Sequence, residues 1–286
     1  MGKRSGIFIL AALPLCFCNG FVSCAYGQSF VFGPEFFSSE SGRPQRAVKS
    51  FSVQDTSREY ILSVQSQWSS DTRGGRSSID INREFFVSRD ELLRKPKVFK
   101  ESLTLQKQND ISIEVTAKAD APVLVTIMSV EEHAATIKIP PVGGTADLAG
   151  YASAVFPAGT FDGVQDVNIS ATASPSTQNI FEINAAGPRL PYEIRINTGD
   201  AAPKNDIKVR VSYPDSFSSP DYQIHLFAQM HDNPDAPGVH DRFFMVSSVP
   251  DDVAKTAMTT LPKYAFSNRY GKNGTYEAII TIGLIR

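Results

Sequence analysis

Apolar and polar residues alternate with a period of two along several stretches. Ile111, Ile113, Val115 and Ala117 alternate with Ser112, Glu114 and Thr116; Ile207, Val209, Val211 and Tyr213 alternate with Lys208, Arg210 and Ser212. Tyr276, Ala278, Ile280 and Ile282 repeat the pattern near the C-terminus. Successive side chains of a strand point to opposite faces, so each stretch predicts a half-buried antiparallel strand. Shorter apolar runs predict further strands at 51–53, 60–64, 79–81, 99–105, 123–130, 152–156, 167–171, 192–196, 223–228 and 243–247. Turn-forming pairs punctuate them: Gly74-Gly75, Asn109-Asp110, Gly143-Gly144, Pro157-Ala158-Gly159 and Asn273-Gly274. Two short helices are predicted. One spans 88–94, with Ser88 and Glu91 as a capping box and Pro96 as the stop. The other spans 250–257, with Asp251 and Asp252 at its positive end. Many short strands and little helix predict an all-β protein: two tandem antiparallel β-sandwich domains after a cleaved signal peptide.

The signal peptide is read from the first 27 residues. Lys3 and Arg4 precede an apolar run from Ile7 to Cys18, and small residues follow at Ser23, Ala25 and Gly27. The run is too short to span a bilayer, which takes about 20 residues. Cleavage is expected after Ala25 or Gly27. The alternative is lipidation of Cys24, because Phe21-Val22-Ser23-Cys24 is similar to a bacterial lipobox. Either route delivers a secreted, periplasmic or cell-surface chain, anchored to membrane only through that lipid. All three cysteines, Cys16, Cys18 and Cys24, lie in this leader. Cleavage after Gly27 therefore leaves no disulfide framework, thiolate metal site or cysteine nucleophile.

The 286 residues suffice for about two domains. With 42% hydrophobic and 20% charged residues they can fill a core without crosslinks, which excludes a wholly disordered chain. The net charge of −2 provides no bulk field toward nucleic acid. The boundary is placed between residues 131 and 132, after the apolar run 123–130. This gives an accessory β-sandwich over 28–131 and a C-terminal β-sandwich over 132–286. No low-complexity linker separates them, so the two are expected to abut.

Two stretches carry a resemblance. Phe32-Gly33-Pro34-Glu35, Ser41-Gly42-Arg43-Pro44, Phe51-Ser52-Val53, Tyr60-Ile61-Leu62 and Ser77 to Asn82, with the run from Leu105 to Val125, resemble an accessory β-domain of bacterial secreted and surface proteins. Pro141-Val142-Gly143-Gly144-Thr145 followed by Ala154-Val155-Phe156-Pro157-Ala158-Gly159-Thr160-Phe161 is similar to the β-sandwich shared by zonula-occludens proteins, netrin receptors and ankyrins. Arg189 to Arg195 and Gly274 to Ala278 look like its bacterial variety. The resemblance implies scaffolding and interaction. Some relatives cut themselves at a His-Phe-Ser motif; His225-Leu226-Phe227 departs from it, so self-cleavage is not carried over. Independently, Gly143-Gly144 suits a tight turn, Pro157 ends a strand, and Phe156 and Phe161 are expected core anchors.

Candidate chemistry is sparse. His231, Asp232, Asp235, His240 and Asp241 form the one dense cluster of catalytic residue types, able in principle to hold Zn²⁺ or Ca²⁺, yet their spacing fits no standard metal motif. The stretch also reads as a hairpin loop between 223–228 and 243–247. No Gly-x-Ser-x-Gly elbow accompanies His133 or His225. Trp68, beside Arg73-Gly74-Gly75-Arg76, offers an aromatic face that a sugar can stack on. Arg89, Arg94, Lys95, Lys97 and Lys100 form a basic stretch that reads as a solvated edge.

These readings predict a non-catalytic secreted or envelope-associated structural or binding module, with no cofactor and no nucleic-acid partner. A protein or glycan of the cell envelope would be bound through Trp68, Arg73, Arg76, His231, Asp232, His240 and Asp241. The competing readings are a metal-dependent hydrolase centred on 231–241 and a standalone remnant of a longer surface protein.

Overall fold

The computed structural model describes residues 30–39, 43–66, 77–87, 98–116, 123–173, 189–217, 223–230, 242–268 and 275–285. These residues are all-β and every strand pairing is antiparallel. The first eight strands are β1 (Phe30–Phe37), β2 (Gln45–Ser52), β3 (Tyr60–Ser66), β4 (Ser77–Ile81), β5 (Glu84–Val87), β6 (Val98–Leu103), β7 (Gln108–Val115) and β8 (Val123–Ser129). Twelve follow: β9 (His133–Ile139), β10 (Gly144–Leu148), β11 (Ala152–Phe156), β12 (Gln165–Ala173), β13 (Tyr192–Asn197), β14 (Ile207–Ser212), β15 (Gln223–Met230), β16 (Arg242–Val246), β17 (Ser248–Asp251), β18 (Thr256–Leu261), β19 (Ser267–Asn268) and β20 (Tyr276–Ile285).

No sheet mixes the two groups. The front sandwich faces a sheet of order β1-β8-β3-β6 against one of order β2-β7-β4-β5. The back sandwich faces a five-stranded sheet, β10-β11-β14-β18-β17, against a seven-stranded one, β16-β15-β20-β13-β12-β9, with β19 paired to β20. At both rims of the back sandwich the chain steps from one sheet to the other, from β9 to β10 and from β16 to β17.

The alternating pattern holds where one face meets water. β7 follows it, with Ile111, Ile113 and Val115 buried and Gln108 and Asp110 exposed. β8 breaks it, because all seven of its residues are buried. Val123, Val125 and Ile127 fill the front core, whereas Leu124 and Met128 join the core of the back sandwich. Phe30 and Phe36 of β1 pack on that same back core, and Phe30 meets Tyr192 at 5.8 Å between ring centroids. The β1-β8-β3-β6 sheet is therefore the middle layer of the molecule, covered on both faces.

Two sequence expectations are corrected. The helix predicted over 250–257 is a hairpin: β17 turns into β18 through 252–255, and Lys255 takes the left-handed conformation at φ 51°. The Asp251 carboxylate accepts the N–H groups of Val253 and Ala254, so the acidic residue caps a turn. Asn109-Asp110 lies inside β7 rather than in a turn. Asn109 is buried and its amide clamps the preceding loop, accepting the Gln106 N–H at 2.9 Å and the Asn82 amide at 2.8 Å. The predicted helix over 88–94 lies outside the described residues.

Phe156 and Phe161 are buried as expected, with centroids 5.7 Å apart. Gly143 explains how their turns meet. Its φ is +88°, and a Cβ there would stand 2.5 Å from the Phe156 carbonyl oxygen, so only glycine fits. Gly159 N–H donates to the Pro141 carbonyl at 2.7 Å, locking the two turns together.

Candidate functional site

Trp68, Arg73, Arg76, His231, Asp232, His240, Asp241 and Cys24 lie outside the described residues, as does Asp235. Their strand anchors are described. Met230 pairs with Arg242, so 231–241 joins the two strands of the β15–β16 hairpin. Ser66 stands opposite Val123, and Ser77 opposite Val115, so 67–76 connects a strand of one front sheet to a strand of the other. The connections 38–44, 88–97 and 116–122 join the same two sheets at that same end. The other end carries the crossings 53–59 and 104–107, the 82–83 hairpin turn and the 130–132 link to β9. Among the described residues, no group of three or more His, Cys, Asp or Glu side chains is placed to hold a metal.

Sequence reasoning missed a polar arrangement at the junction between the sandwiches. Gln65, near the end of β3, turns its amide toward the main chain of Arg189. Its Oε1 accepts the Arg189 N–H at 2.9 Å and its Nε2 donates to the Arg189 carbonyl at 2.6 Å. One side chain thus does what a neighbouring strand would do, satisfying both main-chain polar groups of Arg189. On its other side Arg189 bridges to Gly283 of β20. A Cβ at Gly283 would lie 2.7 Å from the Phe227 ring and 3.0 Å from Arg189 Cγ, so the missing side chain is what admits the arginine stem. The guanidinium lies 5.9 Å from the Phe227 ring centroid. Burial pushes its pKa down to about 10, and the Glu193 carboxylate partly opposes that.

Glu193 continues the array. It is fully buried on β13 and accepts from Arg195 Nη2 at 3.2 Å, while Arg195 Nη1 lies 3.7 Å from Glu277 of β20. One guanidinium, that of Arg195, therefore sits between two carboxylates across the β13–β20 pair, and the Arg189 guanidinium feels the Glu193 charge. A charge buried with its counter-charge and hydrogen bonds is tolerated, whereas a lone one is costly. Chemically the array is a brace. It ties β13 to β20, while the segment that docks on Gln65 is held to β20 by the Arg189–Gly283 bridge and the Leu190 N–H to Ile282 carbonyl bond. Alternation marks Glu193 and Arg195 as the face opposite Ile194 and Ile196, but alternation carries no sign that this face is also buried.

A second polar feature lies at the opposite end of the front sandwich. Thr56, Ser57, Arg58, Glu59, Ser102, Leu103 and Thr104 line a shallow groove of about 370 Å³. Arg58 is bound to Asp55 at 3.1 Å and to Glu131 on the link between the sandwiches. Hydrogen bonds from the Ser57 hydroxyl, the Ser57 N–H and Arg58 hold the Asp55 carboxyl below its ordinary pKa. His133 follows the link, 3.7 Å from Glu131 and stacked on Tyr151 at 4.9 Å.

No family model and no curated relative matches the sequence. Solved structures are similar only distantly. A Paenibacillus cycloisomaltooligosaccharide glucanotransferase bound to cycloisomaltoheptaose aligns over 89% of this chain and 43% of its own, at 9% identity and a TM-score of 0.22. The dimeric latent PorU of Porphyromonas gingivalis aligns over 89% of this chain and 19% of its own, at 9% identity and a TM-score of 0.18. The chain spans less than half the length of either protein.

Proposed function

We propose that the chain is a non-catalytic binding module, exported through its N-terminal leader and working at the cell envelope or outside the cell. In this reading an accessory β-domain over 28–131 is fastened to a sandwich over 132–286 of the kind shared by zonula-occludens proteins, netrin receptors and ankyrins. The interlocked turns at Gly143 and Gly159 support that likeness. The observation that carries the functional reading is the placement of the front connections. Those at 38–44, 67–76, 88–97 and 116–122 share one end of a sandwich whose middle sheet is pinned by the back half. Binding residues concentrate on loops presented by a rigid scaffold, and 67–76 is the segment that brings Trp68, Arg73 and Arg76.

Two measurements test this. Intact mass of the chain recovered from fractionated cells is expected to lack residues 1–25 or 1–27, or to carry acyl groups on Cys24; an uncleaved chain in the cytosol overturns the placement. Trp68→Ala combined with Arg73→Ala and Arg76→Ala is expected to weaken retention on isolated envelope material at least about tenfold, with thermal unfolding unchanged. Hydrolytic turnover that zinc or calcium restores after chelation would overturn the non-catalytic reading.

A further inference from the structure

We propose that Glu131 and His133 form a proton-operated clasp between the two sandwiches, shut while the His133 imidazole carries a proton and open when it does not. Glu131 lies on the 130–132 link, and its Oε2 stands between groups from the two halves. On the front side it holds Arg58 of the 53–59 crossing, whose Nε is tied to Asp55 at 3.1 Å. On the back side it faces Nε2 of His133, the first residue of β9, at 3.7 Å. That separation is too long for a hydrogen bond. His133 Nε2 is nonetheless buried and without a hydrogen-bond partner, a condition that folded proteins rarely leave standing.

The ring is anchored to the back half. It stacks on Tyr151 at 4.9 Å and 28°, Tyr151 meets Tyr192 edge-on at 6.1 Å, and Tyr192 packs on Phe30 of β1. A neutral imidazole donates from one nitrogen only, and a lone pair at Nε2 is repelled by the carboxylate. A protonated ring donates from both nitrogens and carries a charge opposite to that of Glu131. A closure of roughly 0.7 Å then brings the pair into N–H···O range. Because Arg58 grips the same oxygen, that closure also draws the 53–59 crossing toward β9.

The surrounding groups leave this pair in control. From the 53–59 crossing come Arg58 and, behind it, Asp55, while the Glu59 carboxylate accepts the Ser102 hydroxyl at 2.9 Å. Tyr60 of β3 donates its hydroxyl to the Asp55 carbonyl at 2.6 Å. Glu132, next on the link, is exposed. The back half presents the phenols of Tyr151 and Tyr192, the latter donating to the Ser212 carbonyl at 2.7 Å, and Ala171 stands opposite His133 on β12. Asp55 keeps its charge across the range in which histidine titrates, because its hydrogen bonds hold it below its ordinary pKa of 3.8.

The test uses residues 28–286, which include every described residue. The reporter is the Val130 N–H, which donates to the Glu59 carbonyl at 2.9 Å and so bonds the link to the front crossing. Its exchange protection, corrected for the intrinsic rate, is compared at about pH 5.5 and about pH 8, on either side of histidine titration. Protection is expected to be about threefold greater at the lower pH, the size of a partly exposed ion pair. His133→Gln and Glu131→Gln are each expected to bring that ratio to about one. Glu131→Gln leaves the stacked ring in place, so it carries the test if His133→Gln fails to fold. His225 of β15 is the matched control: its Nδ1 is likewise buried without a partner, but it lies four strands from β9 in the same sheet. His225→Gln is expected to keep the full ratio. A ratio of one in the unaltered chain, a ratio that survives Glu131→Gln, or one lost equally with His225→Gln would each overturn the proposal.

Discussion

The two sheets of the front sandwich have similar strands but different surroundings. The β2-β7-β4-β5 sheet meets the front core on one face and solvent on the other, and β7 alternates accordingly. The β1-β8-β3-β6 sheet meets the front core on one face and the back sandwich on the other, and β8 is apolar almost throughout. The difference shows that loss of alternation in an antiparallel strand reports a second contact layer. The period-two rule describes a strand with one wet face, and β8 has none.

The most forceful way to break this comparison is to charge the face of β8 that the front core does not use. Leu124→Asp puts an unpaired carboxylate between the sandwiches and is expected to cost about 4 to 5 kcal/mol. Denaturant unfolding followed by a probe in each half should move as one transition. If only the front half responds, the two do not share a core. Ile113→Ala is the matched change in the one-sided sheet. It empties a buried site in the front core alone and is expected to cost about 3 kcal/mol. Its effect should reach the back half only through the junction, so amide exchange in β13 and β20 should rise less than in β7.

Smaller changes sharpen the picture. Gln65→Ala strands the N–H and C=O of Arg189 and is expected to cost about 2 kcal/mol, with the largest gain in exchange at residue 189. Thr126→Val runs the other way. Thr126 and Ser63 sit opposite each other at the junction, both buried, and neither hydroxyl has a hydrogen-bond partner. Replacing one with an isosteric apolar side chain removes a desolvated polar group and is expected to stabilise by about 1 kcal/mol. A loss of stability would mean that the hydroxyl is satisfied at the junction. The smallest effect concerns pH. The folded chain holds Asp55 below its ordinary pKa of 3.8, so its contribution is fully present above that value and fades as pH falls through the lowered one. Asp55→Asn should flatten the acid limb of a stability–pH curve and leave the neutral region almost unchanged.

Much of the strand order was legible in the chain. The alternating stretches fall in strands over 111–115, 207–212 and 276–282, and 152–156 is β11 to the residue. Alternation is a local signal and survives without knowledge of partners. Three things were not legible, each because it depends on residues far away in sequence. β1 mixes Phe, Gly and Pro, and its place was set by pairing with β8. Asp251 suits a helix start as well as a turn, and the pairing of β17 with β18 decided between them. The Gln65–Arg189 contact joins residues 124 positions apart, and glutamine in a strand looks like any solvent-facing residue. The predicted loop residues Trp68, Arg73, Arg76, His231, Asp232, His240 and Asp241 lie beyond the described strands; what could be read was where their strands begin and end.

The back sandwich has its chain stitched through both rims, by the turn at 140–143 on one side and by Ser247 alone on the other. A sideways force on the two layers is therefore carried by covalent backbone at both hems, before side-chain packing takes up any of it. Sliding one layer over the other would require β10 or β17 to peel from its ladder first, so this half of the molecule should yield to tension by unravelling from a hem and not by slip between layers.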